Sequence, residues 1–170
     1  MRLRLAVIPL LLAVAALVAV GCGSGTSKAS SGPYGGSNTT TAAVTSSGHA
    51  TTIKTGHSSE LGTFLVDNQG RTLYLFEADK GPKSTCNGAC ASAWPPETTS
   101  SPPKAAGGAK SSLLGRSKRS DGTMQVTYHG HPLYRYAGDS RAGDTNGQGL
   151  DQFGAEWYVL APTGSKIDES

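Results

Sequence analysis

Two tyrosine–aspartate pairs stand at the same spacing in this chain: Tyr74-x-Phe76-x-x-Asp79 and Tyr134-x-Tyr136-x-x-Asp139, each preceded by a leucine. A phenol and a carboxylate five positions apart invite two chemistries. The carboxylate can accept hydrogen bonds from the N–H groups of a turn while the rings pack, which builds a fold. Alternatively, the two copies can pool their polar groups into one symmetric ligand site. Asp79→Ala and Asp139→Ala would separate the two: lost stability marks the first, lost binding on an intact fold the second.

Other groups suit metals or hydrolysis. Asp139, Asp144, Asn146, Gln148, Gly149 and Asp151 put oxygen ligands on a glycine-containing stretch, which suits a hard cation such as Ca²⁺. The run from Asp144 begins like an EF-hand loop, but its twelfth position is Ala155 rather than Glu, and no helices flank it. An Asp/Gly/Asn turn cluster is the plain alternative. His129 and His131 stand two apart, as an imidazole pair for Cu or Zn would, although Gly130 between them marks a turn. Glu77, Glu97 and Glu156 could each pair with an aspartate for hydrolysis of a wall glycan, but nothing in their spacing favours that over surface placement. There is no G-x-S-x-G, no H-E-x-x-H and no glycine-rich phosphate loop. The residues therefore predict a non-enzymatic protein without a cofactor. A metal- or redox-cofactor protein (Ca or Cu) and a glycan hydrolase are the alternatives.

The elements that must position these groups read as strands. Slid against itself by sixty residues, the chain matches Gly62-Thr63 to Gly122-Thr123, Val66 to Val126, Gly70 to Gly130, Leu73-Tyr74 to Leu133-Tyr134 and Asp79 to Asp139, without a gap. Within Arg71 to Glu77, Leu73 and Leu75 lie on one face and Tyr74 and Phe76 on the other. Both faces are apolar, which predicts a central strand covered on both sides. Gly62 to Asp67 turns through Asn68-Gln69-Gly70 into that strand, and Thr51 to Thr55 is a weaker strand before it. In copy two, Ser112 to Lys118 pairs with Gly122 to Tyr128 across Asp121-Gly122, a strong hairpin signal. Pro132 demands an edge or a bulge, and Ala155 to Ala161 is the last strand. Arg116, Lys118 and Arg119 read as a solvated turn.

The expected fold is all-β: two duplicated antiparallel units, hairpins or meanders, closing one small domain. Copy one covers about 51–96, a long surface loop about 97–111, and copy two about 112–161, within a domain of 51–167 and a tail of 168–170.

Arg2 and Arg4 precede an uncharged apolar run, Leu5 to Val20, in the order of a secretory signal peptide ending at residue 21. Ala19-Val20-Gly21-Cys22 resembles a bacterial lipoprotein box, with Ala19 where that pattern usually has Leu. Cys22 would then carry the lipid, and a diacylated terminus holds a protein stably at a membrane. Residues 22–50 are Gly, Ser, Thr and Ala with few large apolar side chains, and read as a flexible tether. With Cys22 lipidated, Cys86 and Cys90 are the remaining thiols in an oxidising compartment, and a local disulfide follows. The net charge of +3 falls nearly to zero without Arg2 and Arg4, so it is no argument for nucleic acid. The expected location is the outer face of a bacterial cell membrane. The expected partners are the membrane through the lipid, and an envelope protein or small ligand.

Together these residues resemble a bacterial family of secreted lipoproteins with a repeated Tyr-x-(Phe/Trp/Tyr)-x-x-Asp motif. The Cys86–Pro96 stretch, the block from Asp121 through Tyr134 and the Gly143–Gly149 stretch before Trp157 also look like its surrounding blocks. The family is a repeat of unknown function, so the resemblance implies location and architecture and supplies no catalytic residue.

Overall fold

The computed structural model describes residues 50–168; Cys22, the signal-like segment, nearly all of the tether and the last two residues lie outside the described residues. The chain folds as β1 (Thr52–Ser58), β2 (Gly62–Val66), β3 (Tyr74–Phe76), a single helical turn α1 (Ala89–Ala93), β4 (Lys104–Ala105), β5 (Leu114–Lys118), β6 (Met124–Tyr128), β7 (His131–Pro132), β8 (Leu150–Gln152) and β9 (Ala155–Val159). Three small sheets result, ordered β2-β1-β4, β3-β9-β8 and β5-β6-β7. The all-β fold from two duplicated units is confirmed. All strand pairs are antiparallel except β1 with β4.

Each copy begins with a hairpin. β1 and β2 pair with Thr55 opposite Leu65; β5 and β6 pair with Arg116 opposite Val126. The second hairpin turns through Arg119 to Gly122, where Gly122 takes φ +87° and Asp121 Oδ1 accepts the Thr123 N–H at 2.9 Å. This is the Asp-Gly turn read from sequence.

The ungapped repeat needs one correction. Val66 bridges Thr72, and Thr127 pairs with Pro132. Residues 67–71 fill the first turn and 128–131 the second, one residue fewer. Leu65, not Val66, is therefore the counterpart of Val126. A one-residue slip moves a side chain to the opposite face. Accordingly, Leu65 and Val126 share one core cluster while Val66 belongs to the other. Asp67 makes the longer turn possible: its Oδ1 accepts the N–H groups of Gln69 and Arg71 at 2.8 and 2.9 Å.

The two copies exchange their final strands. The Leu73 N–H donates to Leu65 O (3.0 Å), the Leu65 N–H to Leu160 O (2.8 Å) and the Leu160 N–H to Leu73 O (3.4 Å), closing a hydrogen-bonded triangle. The other half repeats it: Leu133 N–H to Val126 O (3.0 Å), Val126 N–H to Glu97 O (2.8 Å) and Glu97 N–H to Leu133 O (2.9 Å). Leu160, from copy two, completes copy one; Glu97, from copy one, completes copy two. Residues 97–99 are thus a paired segment rather than the start of a surface loop, with Glu97 and Thr99 buried and the exposed Thr98 bridging Gln125.

The motif strands lie between these halves. Leu73, Tyr74, Leu75 and Phe76 are all buried, Leu73 and Leu75 in one cluster and Tyr74 and Phe76 in the other. Burial on both faces is as expected, but β3 is not central in its sheet: it ends the order β3-β9-β8 and is joined on its other side only by the Tyr74–Tyr134 bridge. Tyr74 and Tyr134 exchange both backbone hydrogen bonds, at 2.9 and 3.0 Å, where the copies meet.

Candidate functional site

Phe76 and Tyr136, from the two motif copies, stack with Trp157 and Trp94 in one column of four rings. Phe76 stacks on Trp157 at 4.1 Å between centroids, Trp157 on Trp94 at 3.9 Å, and Trp94 on Tyr136 at 4.4 Å. The two indole planes are only 4° apart. Tyr74 meets Trp94 edge-on at 5.3 Å and Tyr134 meets Trp157 edge-on at 5.1 Å. The arrangement has the approximate two-fold symmetry of the duplication: Phe76 corresponds to Tyr136, and Trp157 to Trp94.

The exchanged strands deliver both tryptophans. Each stands three residues before the triangle corner of its strand, Glu97 or Leu160. Trp94 is fixed further by its N–H donating to Cys90 O at 2.8 Å at the end of α1, and Cys90 is disulfide-bonded to Cys86. The predicted disulfide therefore exists, and it holds the turn that presents Trp94. Its loop is short, so its chain-entropy contribution is only about 2 kcal/mol.

The motif polar groups pair across the copies. Tyr74 Oη donates to Asp139 Oδ2 at 2.7 Å, and Tyr134 Oη donates to Asp79 Oδ2 at 2.5 Å. Each carboxylate spends its other oxygen on a local turn, as the sequence suggested. Asp79 Oδ1 accepts the Thr85 N–H and hydroxyl, both at 2.7 Å, and Asp139 Oδ1 accepts the Asn146 N–H at 3.0 Å. The reciprocal exchange itself was not legible from the repeat. Burial, and then the facing carboxylate, pushes both phenols well above the ordinary tyrosine range. Burial raises Asp139 as well.

The stretch read as a cation loop packs against this column. Asp144 Oδ2 accepts the N–H groups of Ser140 and Arg141, and Asp144 O accepts the Thr72 hydroxyl at 2.6 Å. Gln148 Oε1 accepts the Val159 N–H at 2.9 Å. Asp151 lies in β8 opposite Glu156, exposed. β8 itself was missed because its residues read as turn chemistry. Gly147 is where this loop touches the rings: a Cβ there would sit 2.7 Å from Trp94 Cη2 and 3.0 Å from Tyr74 Cε1. Overpacking of that kind costs about 1–3 kcal/mol. Gly147→Ala is therefore expected to lower unfolding stability by about that amount, read as a lower denaturation midpoint at unchanged slope.

The histidines lie elsewhere. His129, at φ +50°, and Gly130, at φ +82°, make the turn before β7. The His129 and His131 rings are 6.5 Å apart at 64°. Burial, helped by His129, holds His131 below the usual histidine range. Among the described residues no three His, Cys, Asp or Glu side chains are placed to hold a metal ion.

Two residues read as surface groups are buried. Arg119 donates to Gln125 Oε1, Ser84 Oγ and Cys86 O at 2.7, 2.8 and 2.7 Å, tying the second hairpin to the disulfide turn rather than lying in a solvated cluster. Glu97 is 6% exposed. Its carboxyl is pushed up to about 7 by burial, against the opposing pull of Arg135, whose Nε lies 3.1 Å away without making a hydrogen bond. The other two glutamates have partners near the adjoining ends of β3 and β9. Glu77 pairs with Lys166 at 2.8 Å, and Glu156 accepts the Tyr158 hydroxyl at 2.9 Å.

Cavities open at both ends of the column. One, of about 440 Å³, is lined by Phe76, Glu77, Asp79, His131 and Lys166; the other, of about 170 Å³, by Arg71, Arg135, Tyr136 and Asp139.

A family model described as a secreted repeat of unknown function matches residues 57–97 and 115–161, each match running from a hairpin through its tryptophan strand. No curated protein and no solved structure matches the chain.

Proposed function

The chain belongs to this family of secreted repeats of unknown function, and from that premise we propose that it is a non-enzymatic module of the bacterial envelope, tethered outside the cytoplasmic membrane by a lipid on Cys22. The observation that carries the non-enzymatic part is the reciprocal pairing of the motif. Tyr74 with Asp139 and Tyr134 with Asp79 lock one copy to the other at 2.7 and 2.5 Å. The residues that define the repeat thus serve the fold, and the surface around it is what remains for an envelope protein or small ligand. A secreted family and a disulfide are features expected of an extracytoplasmic domain. Among the described residues no helix is long and apolar enough to cross a membrane. The order of the apolar run and Cys22 in the sequence supports attachment through the lipid.

The test is a double-mutant cycle on Tyr134→Phe and Asp79→Asn. Each change is expected to cost about 1–3 kcal/mol of unfolding stability, because it leaves a buried partner unsatisfied. The pair should be coupled by at least about 0.5 kcal/mol. Full stability in both single variants would mean that the motif does not hold the fold and is free for a ligand. Attachment is tested separately by Cys22→Ser, which should release the chain from the membrane fraction; unchanged fractionation would remove the lipid from the proposal.

A further inference from the structure

The ring column contains two kinds of oxidisable side chain with different proton acceptors. The Trp94 indole N–H donates to Gln152 Oε1 at 3.0 Å, and the Trp157 indole N–H donates to the Gln152 backbone carbonyl at 3.1 Å. Both acceptors are neutral amide oxygens, too weakly basic to take a proton. Tyr74 and Tyr134 touch the same indoles edge-on, and their hydroxyls donate to carboxylates. Both indoles are fully buried. Tyr136, at one end of the stack, is half-buried and lines the smaller cavity with Arg71 and Arg135. The column therefore has a surface-facing end, a closely stacked middle, and two lateral phenols that alone can release their proton to a base already in hydrogen-bond contact.

We propose that this column is a one-electron relay, which draws electrons from Tyr74 and Tyr134 through Trp94 and Trp157 to a one-electron oxidant arriving at the Tyr136 end. The oxidant belongs to the class of organic peroxyl radicals and high-potential metal complexes. It is reduced by one electron, which leaves a radical cation on Trp94. An electron then passes from Tyr74 to Trp94 while the Tyr74 O–H bond breaks and its proton bonds to Asp139 Oδ2. Trp94 is restored, and the products are a neutral phenoxyl radical and a neutral Asp139. Tyr134 and Asp79 do the same for Trp157. A thiol or quinol supplying one electron reverses the step: the proton returns from the aspartate to the phenol, and the reductant becomes a thiyl or semiquinone radical and releases its own proton to water. The relay goes beyond the tethered module: it shares the Tyr–Asp pairs with that reading and adds the ring stacking and the neutral acceptors of the two indoles. Both uses of the Tyr–Asp pairs are compatible, since the lock is re-formed each time the proton returns.

The experiment uses the full-length chain in detergent, a photogenerated ruthenium(III) bipyridyl complex as oxidant, and transient absorption with electron paramagnetic resonance as readouts. In the wild type an indole radical cation is expected to decay into a phenoxyl radical, more slowly in deuterium oxide. In the Tyr74→Phe/Tyr134→Phe double variant the phenoxyl signal should be lost and the indole radical should live at least about tenfold longer, a barrier higher by one factor of ten in rate. Tyr74→Phe alone, which removes the phenol beside the indole nearest the Tyr136 end, should slow the rise of the phenoxyl signal, because the hole must pass on to Trp157 before it meets Tyr134. If the double variant does not fold, this single variant and the isotope effect still decide the matter. A wild-type hole that stays on indole, an undiminished phenoxyl yield in the double variant, or an unslowed phenoxyl rise in Tyr74→Phe would overturn the relay.

Discussion

Trp157→Ala is expected to remove about 3–5 kcal/mol of unfolding stability, a large share of what holds the domain together. Trp157 is 0% exposed and touches three rings: stacked on Phe76 and on Trp94, and edge-on to Tyr134. Deleting a buried tryptophan costs about 3–5 kcal/mol, for the lost transfer energy and for the cavity. A domain of this size holds about 5–15 kcal/mol in all. The site cannot collapse readily to fill the gap. Each neighbour is held by something else: Trp94 through its bond to Cys90 of the disulfide turn, Tyr134 through Asp79, and Phe76 by its place in the β3–β9 pair. Denaturant unfolding followed by circular dichroism checks this, with Phe153→Ala as control. Phe153 is 50% exposed at the tip of the β8–β9 turn and should change stability by no more than about 0.5 kcal/mol. Trp94→Ala is the symmetry mate and should be nearly as costly. The double variant should cost less than the sum of the two, because each single change already breaks the shared stack. A Trp157→Ala protein with wild-type stability would mean that the ring column does not hold the two copies together.

Much of this architecture is written in local patterns, and those were legible. Leu73 and Leu75 against Tyr74 and Phe76 gave a strand buried on both faces; Asp121-Gly122 gave a hairpin; Cys86 and Cys90 gave the disulfide. What could not be read was which distant segments pair. Strand exchange leaves every local alternation unchanged, since a tryptophan strand looks the same whichever copy receives it. One signal of the exchange does lie in the sequence. Trp94 lies twenty residues after Tyr74 and Trp157 twenty-three after Tyr134, so the motif match at sixty continues at sixty-three once three residues are allowed in the connecting loops. That shift aligns the two tryptophans and sets Glu97 beside Leu160. The hairpin arms hid a similar slip, because a turn absorbs an extra residue when an aspartate such as Asp67 can satisfy its N–H groups. Arg119 was misread for another reason: its partners come from the disulfide turn, far away in sequence.

Glu97 gives the largest expected dependence on pH. It occupies the triangle corner that Leu160 fills in the other half, so a carboxyl stands where the duplicate has a hydrocarbon. Burial is the main cause of its rise from 4.5 to about 7; Asp67 adds to it, while Arg135 and Arg71 oppose it. A carboxyl whose folded value lies above its unfolded value binds more protons in the folded state between the two. Stability must then fall as pH rises from about 4.5 to about 7, and by the size of the shift the loss is on the order of 3 kcal/mol. His131, depressed by burial, contributes the opposite slope below its ordinary value, so the wild-type profile alone is a mixture. The difference between wild type and Glu97→Gln isolates the carboxyl. The two proteins should have similar stability near pH 4, where Glu97 is neutral in both states. The variant should gain steadily on the wild type up to neutral pH and stay ahead at pH 8, because the amide never has to ionise. Unfolding midpoints at four or five pH values measure this directly. Parallel profiles would mean that Arg135 holds Glu97 ionised throughout, and that the 3.1 Å approach of the two groups outweighs the burial of the charge.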